Sequence, residues 1–258
     1  MSSRIQLYVR HFPLYPIIAL LLSTSACNPE VITPVDPSTK DIVFEAKTYN
    51  FANADRPYRR GEINLEDGVA PSVVVYLHGG SAKGDDNSKQ MSEPAIMQIA
   101  EYVRKHGISA VILVPQCPEK DSQGKMMDWV KMSKALEYLI KSEKVSTDSK
   151  VFIFGGSMGG TGTWNMLSTY PDLFTAAMAC AGNPRGCDAG NVAQTPVYAV
   201  MGSADNVMKP EEVNLQAFLD DVATAGGQYE FDTEEGWDHE KTCKDSYTSK
   251  RLDWVFDH

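Results

Sequence analysis

Strand-type apolar runs recur along this 258-residue chain, and from its middle onward helical patterns separate them. The strand-like segments are IVFEAKTY (42–49), RGEINLE (60–66), SVVVYLHG (72–79) and SAVILVPQ (109–116). KVFIFG (150–155), AAMACA (176–181), PVYAVMG (196–202) and QYEFDTE (228–234) continue the series. Several contain solid apolar runs, the pattern of strands buried on both faces of a parallel sheet. Helical periodicity follows in EPAIMQIAEYVRKHG (93–107), which ends in a cationic turn and glycine. MDWVKMSKALEYLIKSE (127–143) places Trp129, Met132, Leu136 and Leu139 on one face. PEEVNLQAFLDDVATAGG (210–227) and YTSKRLDWVFDH (247–258) read as two later helices.

Alternating strands and helices predict βαβ units and a doubly wound, mostly parallel sheet of about eight strands. The first two strands have no helix between them and should form an antiparallel edge. The stretch 182–195 is only a loop, so no large lid domain is expected.

The first 40 residues break the pattern. A basic start with Arg4 and Arg10, an apolar FPLYPIIALLL and small residues ending at Cys27 predict an export signal over 1–26. The apolar run is short for a membrane-spanning helix. Small residues directly before Cys27 resemble a bacterial lipobox, with Thr24 where leucine is usual. That resemblance implies lipidation of Cys27 and a cell-envelope lipoprotein; an ordinary cleaved signal is the alternative. Residues 27–41, rich in proline, read as a tether, and 42–258 as the folded domain.

Charge narrows the partners. The formal net charge is −10, and loss of the two leader arginines takes it to −12. Nucleic acid and anionic membrane surfaces are therefore disfavoured as partners, leaving lipid as the only membrane attachment. Cys117, Cys180, Cys187 and Cys243 remain; they allow three pairings, with Cys187–Cys243 preferred because both sit in loops, or four free thiols. No cysteine or histidine cluster suggests zinc, and no cofactor or metal is called for.

The chemistry concentrates in VFIFGGSMGGTGTW (151–164), where five glycines surround Ser157. Gly155-Gly156-Ser157-Met158-Gly159 fits the G-x-S-x-G elbow, a sharp strand-to-helix turn that holds the serine hydroxyl above the sheet edge. A structural turn or phosphate cradle is the alternative, but the lysine of a phosphate-binding loop is missing. A nucleophilic serine needs a base, itself oriented by an acid. His239, in a loop between the last strand and last helix, occupies the place that the order Ser…Asp…His gives the base. His78, before two glycines, is better placed to brace the loop there. Asp205, just past a strong apolar strand, is the favoured acid, with Asp188 and Asp238 as rivals. The N–H groups of Met158 and Gly80 are the candidate oxyanion donors. Trp237 and Gln116 are candidates to line the rim.

These strings resemble α/β-hydrolases of the minimal esterase group, which includes polyhydroxybutyrate-depolymerase-like and feruloyl-esterase-like proteins and a bacterial "predicted peptidase" branch. YLHGGSAKGDDN (76–87), VPQCPEKD (114–121), residues 151–182, GSADNVMKPEE (202–212) and RLDWVFDH (251–258) carry the likeness. The loop GWDHEKTC departs from the family, where glycine more often precedes the histidine. The resemblance implies Ser157, Asp205 and His239 as a triad and carboxylic-ester hydrolysis as the chemistry. An open site suits an acetyl or feruloyl ester on a polysaccharide. A serine peptidase on the same triad and a non-catalytic binding protein are the other readings.

Overall fold

Five strands buried along almost their whole length form the middle of the sheet, in a computed structural model that describes residues 42–144 and 146–258. The expected leader, Cys27 and the tether lie outside the described residues. The strands are β1 (Phe44–Phe51), β2 (Ala54–Ile63), β3 (Ser72–Leu77), β4 (Ala110–Pro115), β5 (Val151–Gly156), β6 (Ala176–Cys180), β7 (Val197–Gly202) and β8 (Tyr229–Glu234). They lie in the order β1-β2-β4-β3-β5-β6-β7-β8. β1 and β2 are antiparallel to their neighbours, and every pairing from β4 through β8 is parallel. The doubly wound sheet with an antiparallel edge is thus the observed architecture.

Strand alternation sorts the buried side chains into two layers. Val73, Val75, Leu77, Ile153, Ala177 and Ala199 face one way, onto α2 (Trp129–Glu143), α3 (Met158–Thr169) and α6 (Leu215–Thr224). Val74, Tyr76, Phe152, Phe154, Met178 and Val200 face the other, onto α1 (Pro94–Lys105) and α8 (Ser249–Phe256). Short helices α4 (Ala189–Val192), α5 (Pro210–Val213) and α7 (His239–Asp245) complete the chain. Among the described residues no helix is long and apolar enough to cross a membrane.

Two expectations need correction. The helix expected over 210–227 breaks into α5 and α6 at Asn214, which takes a left-handed conformation (φ 49°, ψ 49°). Asparagine tolerates that conformation better than most residues, so the pattern passes through the break unmarked. His239, expected in a loop, is instead the first residue of α7, capped by the Asp238 carboxylate accepting from Lys241 N–H at 2.8 Å. Only Thr242 of that helix is buried, which leaves no apolar stripe to read.

Register brings the carboxyl ends of the central strands level. Leu77 pairs with Gly155, and Gly156 with Cys180, so His78, Ser157 and Ala181 leave the sheet along one edge. α3 turns back from this edge so closely that a Cβ on Gly159 would sit 1.8 Å from the Leu77 carbonyl oxygen. A Cβ on Gly155 would sit 2.4 Å from the Gly159 carbonyl carbon. Both clashes are with backbone, which cannot swing aside. Gly159→Ala is therefore expected to cost more than about 3 kcal/mol of folding stability, at or beyond the upper range for overpacking. Urea unfolding of the purified variant measures it, and an unchanged midpoint would show that α3 does not press on β3.

Candidate active site

Ser157 sits at φ 58° and ψ −120°, a region that a residue with a Cβ enters only under strain. Its own N–H donates to the Cys180 carbonyl (3.0 Å), and its carbonyl accepts the Thr161 N–H (3.0 Å), so neighbouring β6 and α3 hold the turn in place. Ser157 Oγ lies 2.7 Å from His239 Nε2, and His239 Nδ1 lies 2.8 Å from Asp205 Oδ2. The three residues come from β5–α3, the start of α7 and the loop after β7.

Asp205 is buried, and its second oxygen, Oδ1, accepts the Val207 and Met208 N–H groups, each at 2.8 Å. Those bonds fix the carboxylate plane and leave Oδ2 for the imidazole. Ring orientation follows: Nδ1–H donates to Asp205, so Nε2 is the nitrogen facing the serine hydroxyl. The rival acids do other work. Asp188 caps α4 through Asn191 N–H, and Asp238 caps α7. α7 is seated by Thr242, whose hydroxyl donates to the Asp238 carbonyl (2.7 Å), and by Cys243, whose Sγ lies 3.3 Å from where a Gly156 Cβ would be. Neither residue carries a recognisable pattern in the sequence.

Met158 is the first residue of α3, where a backbone N–H has no acceptor within its own helix. Gly80 opens a 3-10 turn (Gly80–Ala82) beside it, and a Cβ there would meet nothing within 4 Å. Gly79 approaches Ser157 directly: a Cβ placed on it would sit 3.6 Å from the Ser157 Cβ. His78 is fully buried beneath this turn. Its Nε2 accepts the Cys117 N–H at 3.0 Å, which leaves the proton on Nδ1 to be donated to the Gly79 carbonyl at 2.6 Å. Trp129 Nε1–H donates to the His78 carbonyl at 2.8 Å, and the two rings meet edge to face. Burial pushes the His78 pKa down to about 4, so the ring is neutral near pH 7.

Gln116 does not reach the rim. It is fully buried, its Oε1 accepting the Asn87 N–H (2.7 Å) and its amide donating to Asp86 (3.0 Å). It is a brace for the loop after β3, because a carboxamide shut away from solvent must satisfy both ends internally. Trp237 is partly exposed; its ring lies 4.7 Å from Lys241 Nζ and lines a cavity of about 400 Å³ with Asp232, Glu234 and Arg251. Arg251 ties that edge together by bonding Asp232, Glu234 and the Ser246 carbonyl.

The preferred Cys187–Cys243 bridge is not formed; Cys117, Cys180, Cys187 and Cys243 are free thiols. Cys243 packs on the nucleophile turn while Cys187 lies in the loop after β6. Burial pushes the Cys180 and Cys187 thiols up to about 11 and Cys117 up to about 12, which keeps them protonated. Among the described residues no group of three or more His, Cys, Asp or Glu side chains is arranged to hold a metal ion.

Residues 121–184 match the model of the prolyl oligopeptidase family, a span running from the loop before α2 to just past β6. A probable acetylxylan esterase A of Aspergillus clavatus is 29% identical over 144 residues, covering 50% of this chain and 42% of that protein. An acetylxylan esterase of Coprinopsis cinerea is 38% identical over 65 residues, 25% of this chain and 17% of that one. The chain thus spans less than half the length of the curated relatives it matches. Among solved structures, a thermostable esterase superposes with a TM-score of 0.70 at 22% identity, over 83% of this chain and 62% of the other. A ferulic acid esterase of Anaeromyces mucronatus, in complex with ferulic acid, gives 0.64 at 15% identity, over 87% and 96%. These superpositions and the sheet order establish the α/β-hydrolase fold.

The neutral His78 ring makes stability depend on pH. Its pKa is near 4 when folded and about 6.5 when unfolded, so the unfolded chain binds the extra proton between those values. Its contribution to stability is whole above pH 6.5 and falls as the pH drops towards 4, by about 3 kcal/mol in all. Urea midpoints at pH 7 and pH 5 should diverge for the wild type. The divergence should shrink in His78→Asn, which carries no titrating ring.

Proposed function

We propose that this protein is a serine hydrolase that cleaves carboxylic esters on carbohydrate substrates, with Ser157 as nucleophile, His239 as base and Asp205 as the acid that orients it. The unbroken hydrogen-bond chain from Ser157 Oγ through His239 to the buried Asp205 carboxylate carries the reading. As Ser157 Oγ attacks the ester carbonyl, its proton passes to His239 Nε2, and Asp205 stabilises the imidazolium. The Met158 and Gly80 N–H groups bind the developing oxyanion. Collapse expels the alcohol, which takes the proton from His239 and leaves an acyl-serine. Water, deprotonated by His239, then attacks that ester, and the acid is released as Ser157 recovers its proton. A protein that only binds such substrates would have no use for a buried carboxylate aimed at an imidazole.

Substrate class rests on the relatives and on the openness of the edge. Relatives named for acetylxylan and ferulic acid support a small acyl group carried on a polysaccharide. Between β6 and β7 the chain adds only the one-turn α4, so no insertion covers Ser157 from that side. Such an edge admits an ester on the outside of a bulky polymer. Trp237, two residues before His239 and partly exposed, is the rim residue proposed for the sugar. Export and lipidation at Cys27 would place the enzyme in a bacterial cell envelope, where such polymers are met. No nucleic acid or cofactor enters this reading.

The match to the prolyl oligopeptidase family supports a second reading, peptide cleavage by the same three residues. Hydrolysis of p-nitrophenyl acetate, methyl ferulate, acetylated xylan and a chromogenic peptide by wild type and variants separates the two. Ser157→Ala is expected to lose roughly 10⁴- to 10⁶-fold in kcat, and Asp205→Asn about 10⁴-fold. Ester cleavage undiminished in Ser157→Ala would sink the assignment. Peptide cleavage without ester cleavage, lost in the same variant, would select the peptidase.

A further inference from the structure

His78-Gly79-Gly80 joins β3 to the turn beside Ser157, and two adjacent glycines are the most flexible dipeptide available. A preorganised oxyanion hole needs the opposite property, because donors that must first find their orientation stabilise the transition state less. Something has to immobilise the Gly79 backbone. On the carbonyl side it is the His78 ring, whose Nδ1–H donates to Gly79 O, helped by the Ala82 N–H at 3.3 Å. In a trans peptide the C=O and the following N–H point in opposite directions. A pinned Gly79 carbonyl therefore fixes where the Gly80 N–H points.

The amide side is held by a residue absent from the catalytic reading. The Gly79 N–H donates to Glu93 Oε1 at 2.7 Å, and the other carboxylate oxygen accepts the Tyr76 hydroxyl at 2.7 Å. Glu93 precedes Pro94 at the start of α1, the position where a side chain usually caps its own helix. It does not cap it; the carboxylate turns away from α1 towards the glycine turn. Tyr76 is buried on β3, two residues before His78, and burial raises the Glu93 pKa above the ordinary carboxylate range. Withdrawing a carboxyl group from water costs stability unless it is well bonded, and neither of its bonds completes the helix.

We propose that Glu93 is a positioning residue for the oxyanion donor. By accepting the Gly79 N–H it locks, together with the His78 ring, both peptides flanking the Gly79 Cα, and so aims the Gly80 N–H at the oxyanion on the carbon that becomes bonded to Ser157 Oγ. Tyr76 in turn fixes the carboxylate. This rests on the serine-hydrolase reading above and adds to it a second carboxylate that touches neither substrate nor His239.

The test compares Glu93→Ala, Glu93→Gln and Tyr76→Phe with wild type, in ester hydrolysis and in the rate of Ser157 labelling by a fluorophosphonate. Glu93→Ala should lose about 10- to 100-fold in kcat, a fraction of what deleting an oxyanion donor costs, with KM within about twofold. Its labelling rate should fall in parallel. Glu93→Gln, whose carboxamide oxygen still accepts the Gly79 N–H, should recover most of the loss, and Tyr76→Phe should sit between them. Should Glu93→Ala fail to fold, the Gln and Phe variants carry the comparison. Wild-type rates in the Ala variant, or a loss confined to KM, would overturn the proposal and leave the serine-hydrolase reading standing. Gln as impaired as Ala would overturn it too, by pointing to charge or packing rather than acceptance of one N–H. A wild-type protein that neither hydrolyses esters nor takes the label would overturn both.

Discussion

The approach of α3 to the ends of β3 and β5 is the constraint on which the rest of this structure depends. A helix that begins one residue past a buried strand and doubles back over its neighbour leaves no room for side chains along the contact. Gly155 and Gly159 are there because the gap between the backbones is narrower than a methyl group. Once that contact is made, Ser157 has no unstrained conformation open to it, and φ 58° follows from the reversal. The strain is offset by burial of β5 and α3 within the apolar layer that includes Trp129, Trp164 and Leu167. The same geometry lifts Oγ clear of the sheet and stations the free end of α3 behind it.

Much else at the edge is arranged to hold flexible backbone still. The turn after β3 is held by a neutral imidazole, a carboxamide and a carboxylate, in His78, Gln116 and Glu93. Each faces backbone groups that would otherwise be satisfied by water. The loop after β7 is held in the same way, since Asp205 Oδ1 accepts two backbone N–H groups before Oδ2 meets His239. One carboxylate thus folds its own loop and orients a ring at the start of α7. Replacing it disturbs both at once, so its two roles separate only in a variant, such as asparagine, that keeps an oxygen acceptor.

Much of this was legible in the sequence because it rests on local patterns. The five central strands were visible as apolar runs, since strands buried on both faces need no alternation to be recognised, whereas the half-exposed β2 begins at Ala54, ahead of the 60–66 segment the pattern marks. The elbow was visible because its glycines are a steric necessity, and the order Ser157, Asp205, His239 follows the connectivity of the sheet. What stayed hidden is set by partners distant in the chain. Gln116 looks like a rim residue until the loop containing Asp86 and Asn87 closes over it. α7 has no periodic face, and only its Asp238 cap could have announced it. Glu93 reads as an ordinary residue before a helix, because its partners lie 14 and 17 positions back along the chain. The Cys187–Cys243 pairing misled for a related reason: Cys243 lies on α7, against the nucleophile turn, while Cys187 lies in the loop after β6.

The ester and peptide readings share every atom described at the turn, so the choice between them lies in what surrounds it. Cleaving an amide requires the leaving nitrogen to be protonated as it departs, so the peptide must be held with that nitrogen close to His239. An ester leaves a weaker base and needs less of that positioning. The chain between β6 and β7, where a covering segment would be inserted, contains one helical turn. The exposed Val207 in the loop after Asp205 adds apolar surface but no enclosure. On the ester reading proposed above, an edge of this kind would select its substrate by what rests against the rim rather than by what it engulfs, as a small acyl group on a large polymer requires.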